Sequence, residues 1–168
     1  MEALKAKGSG IIVVKATQRL GWTASSPINI TVQQRNGTAT YNIGYMPQHL
    51  YSSFKGPRVI EVAAGSYIFA SALNFDGNLE FGPSPEDPAA DPANAPDAFS
   101  VAPGEVVYLG DLSFIIKSKR RIPFLTMQIQ RNQAAARQAI ARRLPGAASE
   151  ISYRPFGYWT AYVGTRPQ

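Results

Sequence analysis

Cysteine is absent from this 168-residue chain, and histidine occurs once, at His49. Without cysteine there is no disulfide, no thiolate metal site and no cysteine nucleophile, and the redox compartment is left open. A hydrolytic triad needs a base, but His49 sits in Met46-Pro47-Gln48-His49-Leu50, where a loop histidine reads as a surface or packing residue. No helical histidine pair or Cys-His cluster points to zinc, and no glycine-rich phosphate fingerprint occurs. The chain has no run of about 18 apolar residues, so no membrane-spanning helix is expected. Its first residues, MEALKAK, lack the apolar centre of a signal peptide. Either the protein is cytoplasmic or a leader has been removed.

Two carboxylate patterns are weaker than they look. Asp76-Gly77-Asn78-Leu79-Glu80 puts oxygen ligands around a glycine, but it lacks the alternating ligands and downstream bidentate Glu of an EF-hand, so it reads as a β-turn. Glu105 and Asp111 flank one strand at an even spacing and are expected to share a face, as solubility devices on a sheet edge. No catalytic residue, cofactor or metal is therefore expected, and the protein reads as non-enzymatic.

What the chain does carry is sheet chemistry. In VAPGEVVYLGDL, at 101 to 112, Pro103 fixes φ and Gly104 frees the backbone, which predicts a hairpin between Phe99-Ser100-Val101 and Val106-Val107-Tyr108-Leu109. A second hairpin is expected at Asn36-Gly37, the pair that suits a two-residue type I′ turn. Pairing Arg35 with Thr38 sets Val32 against Tyr41, Ile30 against Ile43 and Ile28 against Tyr45, and leaves Asn29, Thr31 and Gln33 on the other face. Further strands are predicted over Ile11 to Ala16, Arg58 to Val62, Tyr67 to Leu73, and Phe124 to Ile129.

The sum is a mainly β chain, an antiparallel sandwich of about seven or eight strands in a single domain over 1–168. One segment departs from it. Residues 131–144 carry Ala136, Ile140 and Leu144 at fourfold spacing and stop at Pro145-Gly146, which predicts one C-terminal amphipathic helix packed on the sheet.

Charge is segregated along the chain. Residues 1 to 60 hold seven Lys or Arg and one acid, residues 61 to 111 nine acids and no base, and residues 112 to 168 ten bases and one acid. Such a pattern serves electrostatic steering, or lets an acidic segment lie across a basic face of the same molecule. The acidic third includes a Pro-rich insertion, at about 76–98, with Pro83, Pro85, Pro88, Pro92 and Pro96 among Ala, Asp and Glu. Proline at that density does not join a sheet interior.

Two groups are candidate partner-binding residues. Lys117, Lys119, Arg120 and Arg121 lie between strands and read as a solvated hairpin tip, while Arg131, Arg137, Arg142 and Arg143 decorate the helix. The aromatics Tyr153, Phe156, Tyr158, Trp159 and Tyr162 read first as a last strand covering the core, and otherwise as an exposed docking surface. Nucleic acid would want base and aromatic on one face.

Ala64-Gly65-Ser66-Tyr67, an insertion, then Phe99-Ser100-Val101-Ala102-Pro103-Gly104-Glu105-Val106-Val107-Tyr108-Leu109-Gly110-Asp111 and an Ala/Arg helix ending near Leu144-Pro145 resemble a group of uncharacterised bacterial exported proteins and lipoproteins. Those proteins have a prealbumin-like, or carboxypeptidase-regulatory-like, β-sandwich. The resemblance covers residues 58 to 150 and implies a cell-envelope or periplasmic location and a non-enzymatic role. It brings no catalytic residues, and this chain lacks the group's lipidation cysteine. The expected function is a structural or binding module with a protein or envelope partner. The alternative is an intracellular or phage-type assembly subunit that binds nucleic acid or an acidic partner through the basic C-terminal third.

Overall fold

The computed structural model describes residues 1–20, 26–44, 56–74, 79–83, 97–119, 121–147, 149–157 and 162–165. His49, residues 76–78, residues 84–96 of the Pro-rich insertion, Arg120, Tyr158 and Trp159 lie outside them. The described chain runs α1 (Glu2–Ala6), β1 (Ser9–Leu20), β2 (Ser26–Pro27), β3 (Asn29–Gln34), β4 (Thr40–Asn42), β5 (Arg58–Ala63), β6 (Gly65–Leu73), β7 (Glu80–Pro83), β8 (Phe99–Val101), β9 (Val106–Lys119), β10 (Ile122–Gln130), α2 (Gln133–Arg143), β11 (Ile151–Tyr153) and β12 (Tyr162–Thr165). It is mainly β and sandwich-like, with one main helix near the C-terminus. The twelve strands among the described residues exceed the expected number because several are only two to four residues long.

Strands join in the order β2-β1-β9-β10-β12-β7-β6-β3-β4, and β5, β8 and β11 add to β1, β6 and β9. The sheet folds over one main core, which takes Ile12, Val14, Val107, Leu109 and Phe114 from one side and Ile30, Val32, Phe69, Ala72 and Phe81 from the other. Each fully buried aliphatic or aromatic side chain of this kind contributes about 1.5–3 kcal/mol. Aromatic contacts run through the core: Tyr41 meets Tyr67 edge-on at 5.8 Å, Tyr67 stacks on Phe99 at 4.7 Å, and Phe99 meets Phe156 at 6.2 Å.

The pairing is not purely antiparallel. β9 runs parallel to β1 over Val106 to Ile116, and parallel to β11 over Val106 to Tyr108. Continuous apolar runs explain this, since Ile11 to Val14 and Val106 to Leu109 are buried on both faces, as parallel strands commonly are. Ile12 and Val14 face the main core, whereas Ile11 and Val13 join Val106, Tyr108 and Ile151 beneath Ala136 and Ile140 of α2. The helix occupies the expected segment. Asn132 caps it by accepting the Ala135 N–H at 3.3 Å, and Ala136 and Ile140 are fully buried.

The Asn36-Gly37 hairpin has the expected register: Val32 lies opposite Tyr41, and the Ile43 N–H donates to Ile30 O at 2.9 Å. Its turn differs. Neither Asn36 nor Gly37 lies at positive φ, so it is not type I′, and the ladder closes one step further out where Gln34 N–H donates to Ala39 O.

The Pro103-Gly104 hairpin is overturned. The corner exists, with Gly104 at φ 74° and the Glu105 N–H donating to Ala102 O, but β8 pairs with β6 and not with β9. The chain turns from one side of the sandwich to the other, and each flank finds its partner elsewhere. Glu105 and Asp111 do not share a face either. β9 bulges between Tyr108 and Gly110, where Val13 pairs Tyr108 and Val14 pairs Gly110, and the extra residue reverses the alternation. Gly110 sits there at φ 103°.

The charge segregation is resolved partly within the molecule. Arg35 Nε meets Asp97 Oδ1 at 2.7 Å, Arg154 Nη2 meets Glu105 Oε1 at 2.7 Å, and Lys7 Nζ meets Glu61 Oε1 at 4.0 Å. Each pair ties the acidic third to a basic flank.

Candidate functional site

One face of the β1, β5, β9, β11 layer is divided in two. Its first half is apolar and covered by α1 and α2, through Ile11, Val13, Val59, Val106, Tyr108 and Ile151. Beyond the bulge the same face continues along β1, β9 and β10, where α2 does not reach. Register sets Lys15, Asp111 and Gln130 in one row, Thr17, Ser113 and Gln128 in the next, then Arg19, Ile115 and Thr126, then Lys117 beside Phe124. Period-two alternation produces this, because Ala16, Leu112, Phe114, Leu125 and Met127 between them point into the core.

A depression of about 300 Å³ lies on this open half, lined by Lys15, Thr17, Arg19, Asp111, Leu112, Ser113, Gln128 and Gln130. Its chemistry is hydrogen bonding and positive charge. Arg19, Lys117 and Gln128 are exposed, and Lys15, Thr17 and Ser113 half-buried. The one carboxylate, Asp111, is already held by the Tyr108 hydroxyl at 2.7 Å.

That hydroxyl marks the border between the two halves. It donates to Asp111 Oδ1 and accepts the Asn132 N–H at 2.9 Å, joining the strand after the bulge to the start of α2. Burial first, then the hydrogen bond to Asp111, raise the Tyr108 phenol above its ordinary value, so it stays a donor. Tyr153 packs beside it, 5.7 Å between ring centroids, with the Arg131 guanidinium 4.7 Å above the Tyr153 ring.

The sequence-derived candidates therefore separate. Lys117 and Arg121 are exposed at the tip between β9 and β10, where Lys119 pairs Ile122 and Arg121 takes φ 68°, as the hairpin reading expects. Ile122, on the same tip, is 55% exposed. Phe156 is 1% exposed and belongs to the core, its N–H donating to Leu109 O. Tyr153 lies on β11 at the opposite end of the face from the tip, and the Tyr162 backbone opens β12 beside Leu125. Arg120, Tyr158 and Trp159, like His49, lie outside the described residues.

Sequence reading missed the basic residues of β1. Lys15, Thr17 and Arg19 alternate with Ala16 and Gln18, and that period of two was the available signal. Among the described residues no three His, Asp or Glu side chains cluster as a metal site, and no helix is long and apolar enough to cross a membrane. Comparison with protein-family models, curated proteins and solved structures finds no match.

Proposed function

We propose that the protein is a non-catalytic β-sandwich binding module of the cell envelope, which holds an acidic polysaccharide on the open face of β1, β9 and β10. The observation that carries this reading is the composition of that face. Lys15, Arg19 and Lys117 stand in register with Thr17, Ser113, Gln128 and Gln130, while Asp111 is occupied by Tyr108. Cations attract an acidic chain, and rows of hydroxyls and amides suit sugar hydroxyls. The envelope location rests on the resemblance of the Pro103 to Gly110 stretch, and cell fractionation tests it.

The binding test is retention on immobilised polygalacturonate, on uncharged dextran and on single-stranded DNA, each eluted by rising salt. Retention on the acidic glycan alone is expected, with elution at clearly lower salt for Arg19→Glu combined with Lys117→Glu. Equal behaviour of variant and parent, or no retention, rejects the reading. Preferential retention on DNA would instead favour the assembly subunit that binds nucleic acid. That second reading draws on Phe124, half-buried opposite Lys117, as a base-stacking platform.

A further inference from the structure

The hairpin of β9 and β10 overruns the strands on either side of it. Among the described residues β1 pairs with β9 only as far as Ile116, through Leu20, and β12 meets β10 only at Phe124 and Leu125. The ladder between β9 and β10 goes on through Lys117 with Phe124 and Ser118 with Pro123, and closes on Lys119 with Ile122. Strand β9 thus runs on for Lys117, Ser118 and Lys119 past its last pairing with β1, a reach of about 10 Å at roughly 3.4 Å per residue.

Two properties meet at that end. Ile122 is 55% exposed, and it is the one large apolar side chain so placed among the described residues. Period-two alternation puts it on the same face as Phe124, half-buried two residues on. Lys117 stands directly across from Phe124 and is exposed, as is Arg121 beside Ile122. Neither cation is paired with a carboxylate among the described residues, and the sequence holds no Asp or Glu between Leu112 and Ser149.

A single exposed isoleucine is ordinary on a protein surface. Position gives this one its meaning. At the end of an overrunning hairpin, next to an aromatic ring and among cations, it completes an element that is apolar at the tip and basic at the flanks, the makeup of an interfacial anchor. A polysaccharide or a nucleic acid offers the charge but no hydrocarbon for Ile122. An anionic bilayer offers both, since its surface attracts Lys and Arg and its acyl boundary takes apolar side chains to a depth of about 5–10 Å. The overhang matches that depth.

We infer that the tip of β9 and β10 docks on the surface of an anionic phospholipid bilayer, with Ile122 and Phe124 entering the acyl boundary and Lys117 and Arg121 held at the level of the phosphates. The inference goes beyond the polysaccharide reading. Lys117 is common to both, whereas Ile122 belongs to this one alone, and that difference lets the two fail separately.

The test is co-sedimentation with vesicles of phosphatidylcholine alone, and of equal parts phosphatidylcholine and phosphatidylglycerol, at constant ionic strength. Binding to the anionic vesicles alone is expected. Ile122→Ser should weaken it by roughly fivefold, through lost apolar burial, and Lys117→Gln combined with Arg121→Gln by roughly tenfold or more. All three positions are exposed, so the variants should melt with the parent, and Ile122→Ser should keep the parent's retention on polygalacturonate. No binding to either vesicle, equal binding to both, or a matching fall of Ile122→Ser on polygalacturonate would overturn the inference. So would an Ile122→Ser variant that binds vesicles as the parent does; joined to a loss in the charge variant, that result would leave a purely electrostatic contact of the kind nucleic acid makes.

Discussion

The Tyr108 hydroxyl donates to Asp111 Oδ1 across a β-bulge and at the same time accepts the backbone N–H of Asn132, the residue that caps α2. Tyr108 is fully buried, so both bonds replace solvation that the folded chain cannot offer. Tyr108→Phe removes the donor to the Asp111 carboxylate and the acceptor of the Asn132 N–H, and weakens the helix start. We expect a loss of about 1–3 kcal/mol in urea unfolding, with far-UV helicity falling before the sheet signal. A variant as stable as the parent would show that water replaces the hydroxyl.

Alkaline pH acts on the same group. Tyr67 and Tyr108 both have their phenol pKa raised, burial being the largest cause in each. A raised acid is protonated in the fold when the unfolded chain has begun to ionise near pH ~10. Stability from these groups is therefore complete below about pH 10 and lost as pH climbs towards the folded values. The melting temperature should decline above about pH 10, and less steeply in Tyr67→Phe and Tyr108→Phe. An unchanged decline in both variants would assign it to other groups.

Gly110→Ala tests the bulge directly. At φ 103° an L side chain is strained, and a Cβ there would come within 2.5 Å of Ile129 Cγ2. A cost of about 1–3 kcal/mol in chemical denaturation is expected from the backbone alone. A neutral result would mean that β9 can re-register without it.

The Arg154 and Glu105 pair is partly exposed, at 47% and 16%. Its coupling in a double-mutant cycle should fall at or below about 1 kcal/mol and shrink with salt. Each partner also holds the backbone: Glu105 Oε2 accepts the Ala102 N–H at 2.9 Å at the Pro103-Gly104 corner, and Arg154 Nη1 donates to Ser100 O at 3.3 Å. Glu105→Ala should cost more than Arg154→Ala, because its second bond is the shorter and its side chain the more buried. Equal costs would give the two backbone bonds the same weight.

Local pattern was legible in the sequence and partner choice was not. Ile30 and Ile43 could be paired from the alternation of their own strands, and Ala136 and Ile140 from fourfold spacing, since each rests on neighbours a few residues away. The Pro103-Gly104 corner signalled a reversal, yet whether its flanks pair depends on β6 and β1, both distant in sequence. Parallel pairing of β1 with β9 spans some ninety residues and leaves no local mark. The open face suffered similarly. Its basic tip was visible as a charge run, but Lys15 and Arg19 reach it only because β9 lies between β1 and β10.

Leu109, the extra residue of the bulge, stands outside the alternation that decides which side chains of β9 see water. Were it deleted, Val14 would still meet Gly110 and every later tooth of the comb would keep its place, whereas the loss of any one residue at 111 to 113 would thrust Phe114 out of the oily centre. Chain length is thus forgiving at the bulge and tightly constrained just beyond it. Single-codon deletions at 111 to 113 should be far more damaging than one at 109, or than any substitution on the open face.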